Sequence, residues 1–203
     1  MNSPGKLFTT SLLVLLILSI FVLAGSAKSG NQSDPDAQAL QNFRNRIDQY
    51  MDIHHRADAK VPHIKPTQSA QKIIDRRHAF AAEIIKERGA VKEGNIFTPE
   101  IDAYFDRLIH SAYQANTRGI NATLECLNSI NQEELKPNAL YPEGAEYTPM
   151  PPTILLHVPD LPLELEYRVV NKDLILRDRE ANVIVDILRN AITPPPGRKL
   201  CDD

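Results

Sequence analysis

Residues 161–192 read LPLELEYRVVNKDLILRDREANVIVDILRNAI, and this stretch decides the fold. Its first part alternates. Leu163, Leu165, Tyr167 and Val169 fall on one side of an extended chain, and Glu164, Glu166 and Arg168 on the other. A period of two with one apolar side is the pattern of a strand buried on one face. Asn171-Lys172 then reads as a two-residue turn, since asparagine tolerates positive φ. Leu174–Asp178 returns, Arg179–Asn182 makes a four-residue turn, and Val183–Leu188 forms a third strand.

The two turn lengths set the register. The first pairs Val170 with Asp173, so Val169 faces Leu174 and Tyr167 faces Leu176. The second pairs Asp178 with Val183, so Leu176 is expected to face Val185 and Leu174 to face Ile187. Tyr167, Val169, Leu174, Leu176, Val185 and Ile187 then share one face, an agreement that a one-residue slip would destroy. The opposite face carries Glu166 across from Arg177, with Arg168 and Asp186 further along. Such charges read either as a solvated sheet surface or as a shallow polar binding face. Three strands alone are marginal, so the apolar face requires a cover from the helices upstream.

Those helices are legible. Leu40, Phe43, Ile47, Tyr50 and His54 recur at steps of three and four, one stripe of a helix. Pro62 and Pro66 interrupt the chain. Thr67 or Ser69 caps a second helix that runs to Arg88 and stops at Gly89. Thr98-Pro99-Glu100 opens a third: Thr98 at the cap, Pro99 at the first helical position, Glu100 at the positive end of the dipole. Gly119 marks an interruption, and Asn121–Ile130 reads as a weaker fourth helix. Residues 136–162 hold seven of the fifteen prolines and read as an extended connector, with Leu140–Tyr141 and Tyr147 laid along the core and a helical turn at Thr153–His157. The expected architecture is α+β in a single small domain. Its helical part spans 37–135, the connector 136–162 and the antiparallel β-meander 163–188, with a loose tail at 193–203.

Residues 1–27 carry the pattern of an export signal. Lys6 precedes an apolar run, Leu12–Leu23, broken only by Ser19, and Ala24-Gly25-Ser26-Ala27 supplies the small residues of a cleavage site. The run is shorter than the roughly 20 residues that span a bilayer, so no stable membrane span is expected after cleavage; the alternative is an uncleaved anchor that starts at Leu7, which Thr9, Thr10 and Ser11 interrupt. Residues 28–36 form a polar spacer. Loss of Lys6 with the signal takes the net charge from −3 to −4. That mildly acidic balance has no basic block, which argues against nucleic acid as a partner.

Chemistry is sparsely marked. The sequence has no GxSxG elbow, P-loop or GxGxxG fingerprint, so no catalytic residue is assigned and no cofactor is required. His54, His55, Asp58 and His63 form the best candidate metal set, because His54 and Asp58 are one helical turn apart and imidazole with carboxylate suits a divalent transition metal. The competing reading of His54 is a hydrogen-bonded core histidine. Cys126 and Cys201 are a possible disulfide after export, the alternative being two unpaired thiols.

The segments GNIFTPEIDAYFDRLI (94–109) and LPLELEYRVVNKDLILRDREANVIVDIL resemble an uncharacterised family of small exported bacterial proteins with an FTPE-type helix start and a closing EYR…DLIL…AN.IVD hairpin. The resemblance implies a periplasmic protein and carries no activity. Residues 165–187 are also similar to the C-terminal hairpin of the periplasmic nickel/cobalt-homeostasis family, which implies a metal-related role. The expectation is therefore an exported, periplasmic or secreted, non-enzymatic binding or envelope-accessory protein. Its partner would be an envelope or periplasmic protein and its contact surface Glu166, Arg168, Arg177 and Asp186. A metal-binding protein and a hydrolase with an unmarked site are the alternatives.

Overall fold

A computed structural model describes residues 34–124, 135–142 and 150–193. The export signal, both cysteines, the larger part of the expected fourth helix, Tyr147 and the tail from 194 onward lie outside these residues. The order of elements is α1 (Pro35–Asp58), α2 (Ala70–Arg88), α3 (Pro99–Leu124), a single turn α4 (Pro152–Leu155), then β1 (Leu165–Val170), β2 (Asp173–Asp178) and β3 (Val183–Leu188). This is the α+β architecture that the hydrophobic pattern predicts. No helix among the described residues is long and apolar enough to cross a membrane.

Local chemistry accounts for the helix ends. Asp34 caps α1, its carboxylate accepting from the Asp36 N–H at 3.1 Å, with Pro35 at the first position. Ser69 caps α2, and Gly89 stops it at φ 64°, a left-handed conformation that favours glycine. The Thr98 carbonyl accepts from the Asp102 N–H at 2.7 Å as α3 begins. The break in α3 sits at Asn116 (φ −153°, ψ 62°), three residues before the predicted Gly119. Asn116 Oδ1 accepts from the Gly119 N–H at 2.9 Å and so caps the segment that follows. A Cβ on Gly119 would lie 2.3 Å from Asn116 Nδ2, so the glycine makes room for the cap instead of breaking the helix.

The helices cover one face of the sheet as expected. Phe43, Ile47, Tyr50 and His54 of α1 are buried, with Phe80, Ala81 and Ile84 of α2 and Ile101, Phe105 and Ile109 of α3. Phe105 is the hub. Its ring centroid lies 5.1 Å from Phe43, 5.2 Å from Phe97 and 6.0 Å from Tyr167 of β1, so one aromatic cluster joins α1, α3, the α2–α3 connection and the sheet.

The sheet has the order β1-β2-β3. Tyr167↔Leu176, Val169↔Leu174 and Val170↔Asp173 pair as the first turn predicts, and Asp178↔Val183 as the second does. Asn171 (φ 56°) and Asn182 (φ 58°) take the left-handed positions of those turns. The register then departs from expectation. A bulge between Leu176 and Arg177 leaves Val185 as an extra residue, and beyond it Leu176 faces Asp186 and Leu174 faces Leu188. Ile187, expected beneath the helices, therefore joins Val170, Ile175 and Ile184 on the outer face, and Leu188 takes the inner place instead. Leu163 lies outside the strand and is 84% exposed.

The outer face is not a solvated surface. Leu135 and Tyr141 of the connector pack on Val170, Ile175, Ile184 and Ile187. Residues 138–141 also pair with the outer edge of β3: Asn138 N–H donates to Ile184 O at 2.9 Å, Ile184 N–H to Ala139 O at 2.9 Å, and Tyr141 N–H to Asn182 O at 2.8 Å. The connector acts as a short fourth strand and closes an edge that would otherwise be open. Both β2 and β3 are buried along their whole length as a result.

Candidate functional site

Three of the four residues expected on the charged sheet face do meet. Arg177 Nη1 donates to Glu166 Oε1 at 2.5 Å and Arg168 Nη2 to Oε2 at 2.6 Å. Arg179 Nε lies 3.9 Å from the same Oε2. Burial alone would raise the Glu166 carboxyl, but the hydrogen bonds and charges of Arg168 and Arg177 hold it below the usual carboxylate range. Arg177 is itself buried. Its Nε donates to Asn182 Oδ1 at 3.0 Å, and its guanidinium lies 4.9 Å from the Tyr141 ring centroid. It therefore anchors the turn and the connector, leaving Glu166, Arg168 and Arg179 to meet anything outside.

Asp186 does not belong to this face. The bulge turns it under the helices, where Oδ2 accepts from the N–H groups of Ile96 at 2.6 Å and Phe97 at 2.9 Å, and Oδ1 from Gly94 at 3.1 Å and its neighbour Ile187 at 2.9 Å. Burial pushes its carboxyl up and these backbone donors pull it back, with burial prevailing. The bulge also frees the Val185 carbonyl, which accepts from Arg88 Nη2 at 2.9 Å. Asp186 thus organises the connection that leads into α3.

A groove of about 490 Å³ runs beside β1. Its apolar lining includes Leu155, Leu161, Leu163 and Tyr167, and its charged lining is Asp160, Glu166, Arg168 and Arg179. The Tyr167 hydroxyl donates to Pro159 O and Arg179 Nη1 to Leu163 O, each at 3.0 Å, which holds the 159–163 segment against the strand. Leu155 and Leu163, both lining the groove, are 50 and 84% exposed, apolar surface gathered at one groove. Among the described residues β1 pairs only with β2, so this groove follows the open edge of the sheet.

Two of the four residues of the expected metal set, His54 and Asp58, are engaged by other partners. His54 is buried and its Nδ1 lies 2.7 Å from Asp178 Oδ2. Asp58 accepts from Arg76 Nη2 at 2.5 Å. His55 and His63 are exposed. Among the described residues no group of three or more His, Cys, Asp or Glu side chains is placed to hold a metal ion. The core reading of His54 is the one its surroundings match.

Sequence reasoning did not find the partner of that histidine. Asp178 Oδ2 takes both His54 and the Tyr50 hydroxyl, at 2.7 and 2.8 Å, while its Oδ1 accepts from the Ala181 N–H at 2.8 Å. Burial would lower the His54 pKa, but the Asp178 bond and charge, with Glu180 and Glu164 behind it, hold it above the ordinary value. Burial first, then the Asp178 charge, raises the Tyr50 hydroxyl well beyond the tyrosine range. His54 Nε2 lies 3.9 Å from Glu180 Oε2. A histidine oriented by a carboxylate can do acid–base work only with a reacting group at its second nitrogen, and no hydroxyl or thiol of the described residues is bonded there. Tyr50 and His54 were legible as an i, i+4 pair, but Asp178 is 124 residues from His54. No protein-family model, curated protein or solved structure matches the chain.

Proposed function

We propose that the chain is an exported binding or envelope-accessory protein whose contact surface is the groove beside β1. The proposed occupant is an extended segment of another protein that alternates apolar and acidic residues. The observation that supports this reading is the meeting of exposed leucines, an open sheet edge and an excess of cation in one place. Leu155 and Leu163 offer apolar contact. Three guanidiniums, the lining Arg168 and Arg179 and the buried Arg177 behind them, gather on the carboxylate of Glu166; with Asp160 also lining the groove, the excess of cation is one. An extended chain along a strand edge gains main-chain hydrogen bonds, and its alternate side chains confer selectivity. Export rests on the apolar run at Leu12–Leu23 and the small residues before Lys28.

Labelled ten-residue peptides alternating leucine with glutamate, serine or lysine test the groove by fluorescence anisotropy. The glutamate peptide is expected to bind most tightly, and Leu163→Asp and Arg179→Glu are each expected to weaken it at least tenfold. Equal binding of all three peptides, or none by any, overturns the assignment. Export has its own test. Protein recovered from the periplasm of a bacterial host is expected to begin at Lys28, and retention in the cytoplasm with residues 1–27 attached would refute export.

A further inference from the structure

A second cavity, of about 190 Å³, lies between α1 and the α2–α3 connection, away from the β1 groove. Arg46, Gln49 and Ile53 reach it from successive turns of α1, and Arg88, Val91 and Asn95 from the end of α2 and the segment after it. Among the described residues no carboxylate lines it.

The two arginines carry the argument. Arg46 Nη1 donates to Asn95 O at 2.5 Å. Arg88 Nη1 donates to Asn138 Oδ1 at 2.7 Å and Nη2 to Val185 O at 2.9 Å, and its guanidinium lies 5.2 Å from the Tyr50 ring centroid. All of these acceptors are neutral, and neither arginine forms an ion pair within 4 Å with a carboxylate of the described residues, although Glu100 lies within the field of Arg46. The acids nearest Arg88 are committed elsewhere: Asp178 to Tyr50, His54 and Ala181, Asp186 to the backbone of 94–97 and its neighbour. Burial lowers the Arg88 pKa, the mark of a charge removed from water. A cation placed this way is ordinarily paired. Here two guanidiniums, with N–H groups beyond those in these bonds, share a cavity whose other walls are the apolar Ile53, Val91 and Ile96 and the neutral Gln49, Tyr50 and Asn95.

We propose that this cavity binds a small organic carboxylate, with Arg46 and Arg88 on the carboxylate and the hydrocarbon part against Ile53 and Val91. The size fits one ring, since an apolar cavity of about 150 Å³ accepts benzene. Guanidinium is suited to the planar carboxylate group, which it can meet with two parallel N–H bonds. The site is independent of the groove beside β1, so either can fail alone.

The test is a melting curve and a calorimetric titration of the purified protein with benzoate and cyclohexanecarboxylate, with benzamide and inorganic phosphate as controls. The two carboxylates are expected to raise the melting temperature in proportion to the logarithm of their concentration, as any ligand of the folded state must. Benzamide and phosphate are expected not to. Arg46→Gln, at the half-exposed rim, is expected to lower the unliganded melting temperature only slightly, through loss of the bond to Asn95 O, and to weaken benzoate at least tenfold. Val91→Trp, which fills the cavity, is expected to abolish the titration. Benzamide binding as well as benzoate, phosphate binding alone, no carboxylate binding, or undiminished binding by the Arg46 variant would each overturn the proposal.

Discussion

Asp186→Ala is expected to lower the free energy of unfolding by about 3–5 kcal/mol: about 1–3 kcal/mol for each of four N–H groups left without an acceptor, less the several kcal/mol returned by removing a buried carboxylate. The carboxylate is fully buried and takes the N–H groups of Gly94, Ile96, Phe97 and Ile187. Three of these belong to the connection between α2 and α3, which has no ladder or helix of its own to satisfy them. Their loss also loosens Phe97, one of the rings packed on Phe105. Asp186→Asn keeps one acceptor oxygen and is expected to cost about half as much. Urea denaturation with an unchanged slope measures both. A loss below about 1 kcal/mol for alanine would mean that water reaches those N–H groups, contrary to their burial.

Stability is expected to fall as pH rises through the His54 titration, and Asp178→Asn is expected to flatten that fall. The sign follows from the direction of the shift. His54 is held above its ordinary pKa by Asp178, with Glu180 and Glu164 adding to the field. The folded protein therefore holds the proton more tightly than the unfolded chain. The stabilisation is complete below the unfolded value of about 6.5 and is lost as pH rises through the higher folded value. The other groups against the ring are Phe80 of α2, 4.9 Å away edge-on, and His55, 5.6 Å away. Asn at 178 keeps the shape but removes the charge that holds the proton. It also weakens the acceptor of the Tyr50 hydroxyl, for a cost at pH 6 of about 2–4 kcal/mol. Melting temperatures from pH 5.5 to 9 decide the matter. A stability that rises across pH 6–8 in the native protein would show that His54 is buried neutral, as the tautomer whose Nδ1–H still donates to Asp178.

Much of this protein was determined locally and could be read without the fold. The stripe Phe43, Ile47, Tyr50, His54 lies on the buried side of α1, and Ser69, Gly89 and Pro99 bound their helices, because a helix period and its caps involve residues only a few positions apart. Both hairpin registers near their turns follow from turn length and from Asn171 and Asn182 at positive φ. The gathering of Glu166, Arg168 and Arg177 came with them, since cross-strand neighbours follow from register.

The bulge was not legible, and it decided the rest. Val183-Ile184-Val185-Asp186-Ile187-Leu188 can be threaded in two registers with nearly equal apolar burial. Long-range contacts choose between them: Asp186 reaches the N–H groups of 94–97, and Arg88 reaches the Val185 carbonyl. One warning was present, since Leu174–Leu176 and Val183–Val185 are unbroken apolar runs and such runs belong to strands covered on both faces. What covers the second face is the connector, with Leu135 and Tyr141, whose prolines read only as irregular chain. The groove beside β1, the cavity beside Arg46 and Arg88 and the pairing of His54 with Asp178 share one cause. Each joins residues far apart in the chain, and periodicity, caps and turns carry no information about which distant partners a folded core will bring together.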